Sequence, residues 1–296
     1  MNNLMINADF GKLWFHNISK ILSERFHELI IPIIILGLSG SPLMTSLVLL
    51  FQRISSVFFS IPIGTWIEKK NLVLISSICN LIYAILLFLL AYLITIDRTS
   101  LYVIGPILFF MGLVGLMLNI ALSAMVPKIV GRQRLLSANN SLEAADAIVT
   151  LIGPALGGII LAKYGPNITL TICGSLLLVS MLFISFMRYR NVRTETDDKP
   201  MKGKQKLKSF IRDSQEGVKY LYANGAQIVS TISALVLGFS TSYIVLSVII
   251  HSKYTLHFSE EYIGILLSCA GIGNVVGVLI MNKFKNANWL YFLSTL

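Results

Sequence analysis

The sequence predicts an all-α polytopic membrane protein. Three observations carry that expectation. Hydrophobic residues make up 55% of the 296 residues and charged residues only 13%, with a mean hydropathy of +0.76. A soluble domain carries roughly 25% charged residues, so this chain lacks the polar atoms to coat a water-facing surface. Long charge-free runs recur: Asn71 to Ile96, Thr99 to Pro127, Tyr164 to Met187, Tyr220 to Ser252 and Tyr262 to Asn282. Each meets the roughly 20 residues that a helix needs to cross hydrocarbon. Finally, Lys and Arg are unevenly shared between alternate loops, as in chains oriented by a membrane.

The elements follow in order. Leu29 to Gln52 is also uncharged, but Gly37-Leu-Ser-Gly-Ser-Pro42 interrupts it with a cluster of turn residues. One helix is therefore expected over 10–37 and a second over 43–67. Spans over 71–96 and 100–127 follow. The fifth, 137–162, carries Glu143 and Asp146 in its first third, and the sixth is 166–188. The stretch from Arg190 to Lys219 is polar and has no room for a span. Within it, Leu207, Phe210, Ile211, Val218 and Leu221 are spaced as an amphipathic helix lying on the membrane surface. Spans over 220–250 and 261–282 come next. A further apolar run opens at Trp289 and stops at Leu296, so the second group of helices reads as cut short. The expected organisation is a six-helix transmembrane bundle over 1–190 and a basic cytoplasmic linker over 191–219. A partial second bundle over 220–296 then holds two full spans and the start of a third.

Orientation follows from the loops. Eighteen Lys and Arg residues fall on one side of this arrangement and three (Arg98, Lys163 and Lys253) on the other. The basic side faces the cytoplasm, so the N-terminus is expected there, in a multi-pass protein of the plasma or inner membrane. The net charge of +10 is mostly this topology signal, and no nucleic-acid partner is expected. Met1 to Phe10 lacks the basic and apolar regions of a cleavable signal peptide. The three cysteines, Cys79, Cys173 and Cys269, each lie inside apolar runs and suggest neither a disulfide framework nor a metal site. The chain has no HExxH, nucleophile elbow or P-loop, and neither an enzyme nor a cofactor is expected.

Charges within the spans point to function. An ionisable residue at mid-membrane costs roughly 2.5–3.5 kcal/mol on insertion scales, so it faces a cavity or a partner. Asn17, Lys20, Glu24 and Glu28 share one face of the first helix, with His27 beside them. Arg53, Ser56, Ser60 and Gly64 share a face of the second. Asn139, Glu143, Asp146 and Thr150 form a stripe on the fifth, and Asn119 is the polar residue at the centre of the fourth. Glu24 and Arg53 both sit mid-helix on antiparallel neighbours, so an ion pair between them is expected. Two readings follow. Glu24, Glu28, Arg53, Asn119, Glu143 and Asp146 form a polar cavity whose carboxylates load and release protons, or Glu24 and Arg53 form a static pair orienting two helices. Lys20 and Arg25 are expected to snorkel toward the interface, and His27 to be a polar neighbour.

Two motifs carry a resemblance. Gly64-Thr-Trp-Ile-Glu68-Lys69-Lys70 stands between the second and third spans and resembles the Gly-x-x-x-Asp-Arg-x-x-Arg signature of the major facilitator superfamily, with Glu68 replacing Asp. Gly153-Pro154-Ala155-Leu156-Gly157-Gly158 resembles the end of the antiporter motif of drug exporters in that family. Ser123-Ala-Met-Val-Pro127, Leu136-Ser-Ala-Asn139, Leu13-Trp14, Ser23-Glu24 and Gly40-Ser41-Pro42 look like the branch with macrolide-efflux and siderophore-export permeases. The family's mid-helix Arg in the fourth span is here Asn119. Gly273-x-x-x-Gly277 resembles the eighth helix of the branch, and such spacing packs helices closely.

The resemblance implies a major-facilitator-type six-helix N-terminal bundle followed by the first helices of a second. It implies a secondary active transporter exporting small amphipathic compounds, macrolide-like drugs or siderophores, with protons as the coupling ion. Gly64, Glu68, Lys69 and Lys70 would act in conformational change, and Gly153, Pro154, Gly157 and Gly158 in helix packing. The alternative is a truncated, non-transporting membrane remnant or scaffold.

Overall fold

The computed structural model describes residues 7–67, 70–96, 99–188 and 225–283. Glu68, Lys69, the 191–219 linker with its amphipathic pattern and the run from Trp289 lie outside the described residues. Among the described residues the chain is helical throughout, with α1 Ala8–Ser39, α2 Pro42–Ile67, α3 Leu72–Thr95, α4 Leu101–Val130, α5 Leu135–Ser185, α6 Gly225–Tyr254 and α7 Glu260–Lys283. A single 3-10 turn, Arg132–Arg134, precedes α5. Among the described residues, five helical segments are long and apolar enough to cross a membrane. The helix α1 is as long but carries Lys20, Glu24, Arg25 and Glu28 in its middle. Those charges need partners inside the fold.

Turn chemistry sets the boundaries. The helix α1 ends two residues later than Gly37: Gly40 adopts a left-handed conformation (φ 61°) and its N–H closes on Leu36 O. Pro42 then opens α2, where its missing N–H costs nothing. Asn7 caps α1 by accepting from Phe10 N at 2.7 Å, and Asn71 caps α3 by accepting from Leu74 N at 3.2 Å.

The expected fifth and sixth spans are the two arms of α5. The helix turns at Gly165, whose φ of 78° and ψ of 174° are non-helical, and Pro166 starts the second arm. Only glycine takes that backbone without strain, so one residue does the work of a loop. The arms hold about 30 and 20 residues, and either is long enough for a crossing.

Packing is centred on α5, which meets α1, α3 and α7 more extensively than any other helix does. Its second arm buries Leu170, Cys173, Leu177 and Ile184 in a core shared with Leu87 and Leu90 of α3 and Leu13 and Ile30 of α1. The pair α2 and α4 forms the other close contact. There Gly112 has no Cβ to collide with Gln52 O and the Ser55 side chain of α2. Most of α6 faces outward: Phe239, Leu235 and Tyr243 are more than half exposed, as lipid-facing or partner-facing residues are.

Candidate functional site

Two faces of α1 carry different chemistry. One is buried against α3 and the second arm of α5. His16 Nδ1 lies 2.6 Å from Ser180 Oγ, and Ser180 Oγ donates to His16 O at 3.0 Å. Ser23 Oγ donates to Cys173 O at 2.9 Å. His27 Nδ1 is 2.8 Å from Ser23 O, so that nitrogen carries the proton, and Nε2 accepts from Tyr83 Oη at 3.0 Å. His27 is thus a polar neighbour in a closed hydrogen-bond chain.

The other face opens onto a cavity of about 560 Å³ between α1, α4 and the first arm of α5. Its lining from α1 is Asn17, Lys20, Ile21, Glu24 and Arg25. From α4 come Asn119, Leu122, Ser123, Val126 and Pro127, and from the α5 side Leu135, Asn139, Leu142, Glu143 and Asp146. Four of the six cavity residues expected from the sequence, Glu24, Asn119, Glu143 and Asp146, therefore meet in one place. Trp14 Nε1, donating to Ser141 O at 3.2 Å, fixes α1 against α5 beside it.

The expected Glu24–Arg53 ion pair does not form. Glu24 pairs instead with Lys20, one turn earlier on its own helix, at 3.1 Å. Lys20 also donates to Asn119 Oδ1 of α4 at 2.5 Å. Arg53 is exposed on α2 and is not part of the lining. Glu24 has Lys20 one turn away on its own helix, while Gln52 and Ser55, the neighbours of Arg53 on α2, face Gly112 of α4. The expectation that Lys20 snorkels is also overturned, because the residue is only 3% exposed. Its ammonium is satisfied within the bundle by Glu24 and Asn119.

Arg25 likewise turns inward. It donates to Glu28 at 2.9 Å and to Asp146 of α5 at 3.4 Å, joining the two helices. Glu28 lies beyond the lining and reaches it through Arg25. Lys20 and Arg25 are the charged lining residues that the expected cavity set left out. Lys20 stood on the polar stripe of α1, one turn from Glu24, and Arg25 stands beside that stripe, one turn from Glu28.

The Gly153–Gly158 motif is two-faced. A Cβ on Gly153 would sit 3.0 Å from Arg25 Cβ, and one on Gly157 would sit 3.2 Å from the Phe26 ring, so these glycines seat α1. Gly158 seats α7, with a Cβ there 2.6 Å from Glu260 O and 3.0 Å from Gly264 Cα. Ser268 Oγ of α7 accepts from Ala155 N at 2.9 Å, just after Pro154. The small residues of α7 that pack on α5 are Gly264, Ser268 and Gly271. Gly273 and Gly277, whose spacing suits close packing against a neighbouring helix, have no described atom within 4 Å of a Cβ built on them. They lie on a different face from Gly264 and Gly271, whose seven-residue spacing is two turns.

In the first motif, Gly64 closes on no described neighbour, and Lys70 Nζ lies 5.8 Å from the centre of the Trp66 ring. That distance suits a cation–π contact.

No curated protein sequence matches the chain. The family model for the Major Facilitator Superfamily matches residues 13–296, and the chain belongs to that superfamily as a multi-pass, all-helical membrane protein.

Proposed function

We propose that the chain is a secondary active transporter that exports small amphipathic compounds, of the macrolide or siderophore kind, from the cell in exchange for protons. It sits in the plasma or inner membrane with its N-terminus in the cytoplasm. Its first six spans, over 1–190, act as one bundle, followed by the 191–219 linker and the start of a second bundle. The cavity is the observation that carries this reading. It combines Leu122, Val126 and Leu142 with five ionisable side chains, Lys20, Glu24, Arg25, Glu143 and Asp146. Buried charge is costly in a bilayer and marks a path for substrate or protons. The cavity volume of about 560 Å³ falls within the roughly 300–1,000 Å³ of small-molecule sites.

Glu24 is the coupling carboxylate in this reading. Protonating it releases Lys20 from one of its two partners and loosens the tie from α1 to Asn119 of α4. Lys20 is thereby the lever that connects a proton to helix position. The test is accumulation of a labelled macrolide in cells expressing the chain. Expression lowers accumulation, a protonophore restores it, and Glu24→Gln expressed to the same level abolishes the effect. Accumulation that Glu24→Gln leaves unchanged contradicts the assignment.

A further inference from the structure

The cavity is not evenly charged, and its pairing decides which ligand it accepts. Lys20 Nζ is held by Glu24 at 3.1 Å and by Asn119 Oδ1 at 2.5 Å. Arg25 is held by Glu28 at 2.9 Å and by Asp146 at 3.4 Å. Among the described residues no other cation lines the space. Both cations are thus already neutralised by carboxylates of the protein. A fourth carboxylate, Glu143, sits one turn before Asp146 on α5. It faces the same space, is exposed to it, and bonds to no described side chain. Leu122, Val126 and Leu142 supply the apolar wall beside it.

We infer that this cavity binds lipophilic organic cations, protonated amines or quaternary centres on an apolar body, with Glu143 as the counter-ion. The inference rests on reading the cavity as the substrate site, and within that reading it selects amine-bearing compounds over anionic siderophores. An anionic ligand would have to displace Glu24 from Lys20, or Glu28 and Asp146 from Arg25. Breaking either arrangement leaves a carboxylate unpaired in a low-dielectric site. A cation needs no such exchange, because Glu143 is open. Its apolar body then covers Leu122 and Leu142, and the exclusion of water strengthens the ion pair. Neither an unpaired carboxylate on a helix nor an apolar wall alone would select this ligand. Their juxtaposition in one cavity, with its cations already occupied, does.

Two probes of the same shape and opposite charge separate the possibilities: tetraphenylphosphonium and tetraphenylborate. Saturable binding of each is measured on the whole chain in lipid nanodiscs. The signal from Ser123→Trp, which fills the cavity, is subtracted. Tetraphenylphosphonium is expected to bind saturably and tetraphenylborate not. Glu143→Gln weakens the phosphonium by roughly tenfold, Glu143→Asp retains most of the affinity, and Glu261→Gln, outside the cavity, changes nothing. If both ions bind alike, or if Glu143→Gln has no effect while the phosphonium binds, the cation assignment is wrong and the substrate cavity stands. If neither ion shows binding that Ser123→Trp removes, the reading of the cavity itself falls. Variants that fold poorly are recognised by their elution profile, and Glu143→Ser, small and uncharged, then takes the place of Glu143→Gln, with unchanged phosphonium binding overturning the assignment.

Discussion

Lys20 and Glu24 show how a charged pair is tolerated in an apolar fold. Two side chains one turn apart share the cost of desolvation, and Asn119 accepts a second ammonium proton. Replacing Lys20 alone removes that compensation. Glu24 is 23% exposed in its side chain, so its penalty is partial. Lys20→Met is expected to cost about 2 kcal/mol, less than the roughly 3–5 kcal/mol of a fully buried pair. Thermal unfolding in detergent measures it. The double variant Lys20→Met with Glu24→Leu, which removes both charges, recovers most of the loss. A double variant as unstable as the sum of two costly single variants would contradict the pairing. The polar stripe of α1 was legible in the sequence, because charges inside apolar runs stand out. The partner of Glu24 was not. Helical spacing shows which residues share a face, but not how α2 is rotated against α1. The Gly112 contact fixes how α2 meets α4, and no local pattern in α2 announces it.

At the level of elements, close helix contacts depend on single glycines. Gly264 of α7 lies against Pro154 O and Gly158 of α5. A valine there cannot fit without separating the helices, whereas a valine at Gly273 meets no described neighbour. Gly264→Val is expected to lower stability by about 2 kcal/mol through overpacking, and Gly273→Val to stay within about 0.5 kcal/mol. Melting curves of the two variants check this, and equal losses would contradict the contact assigned to α7. Helix propensity changes alike in both, so the difference reports packing. The sequence reading singled out Gly273 and Gly277, and only the three-dimensional arrangement shows that Gly264 and Gly271 face α5. By contrast, the Gly37–Pro42 cluster was readable as a break because its turn chemistry is local, and Gly165-Pro166 makes the same kind of break between the expected fifth and sixth spans. They divide the long apolar runs where the chain reverses.

For the whole molecule, the polytopic class was legible from composition and charge-free runs, since a bilayer imposes length and apolarity on every crossing. The position of the cavity was half legible. The stripes on α1, α4 and α5 named most of its polar lining, but the seating of α1 on Gly153 and Gly157 is what brings them face to face. The central claim is that this space between α1, α4 and α5 holds the transported molecule. Ser123 of α4 lines it and is exposed within it. Cys79 and Cys173 are buried, and Cys269 is exposed, so Ser123→Cys in a Cys269→Ser background presents one reactive thiol to a water-soluble thiosulfonate. The account predicts that Ser123→Cys is modified and that a saturating amine-bearing macrolide slows the reaction severalfold. A thiol introduced by His251→Cys, at the end of α6, reacts at one rate throughout. A Ser123→Cys thiol whose modification rate the macrolide leaves unchanged would contradict the claim.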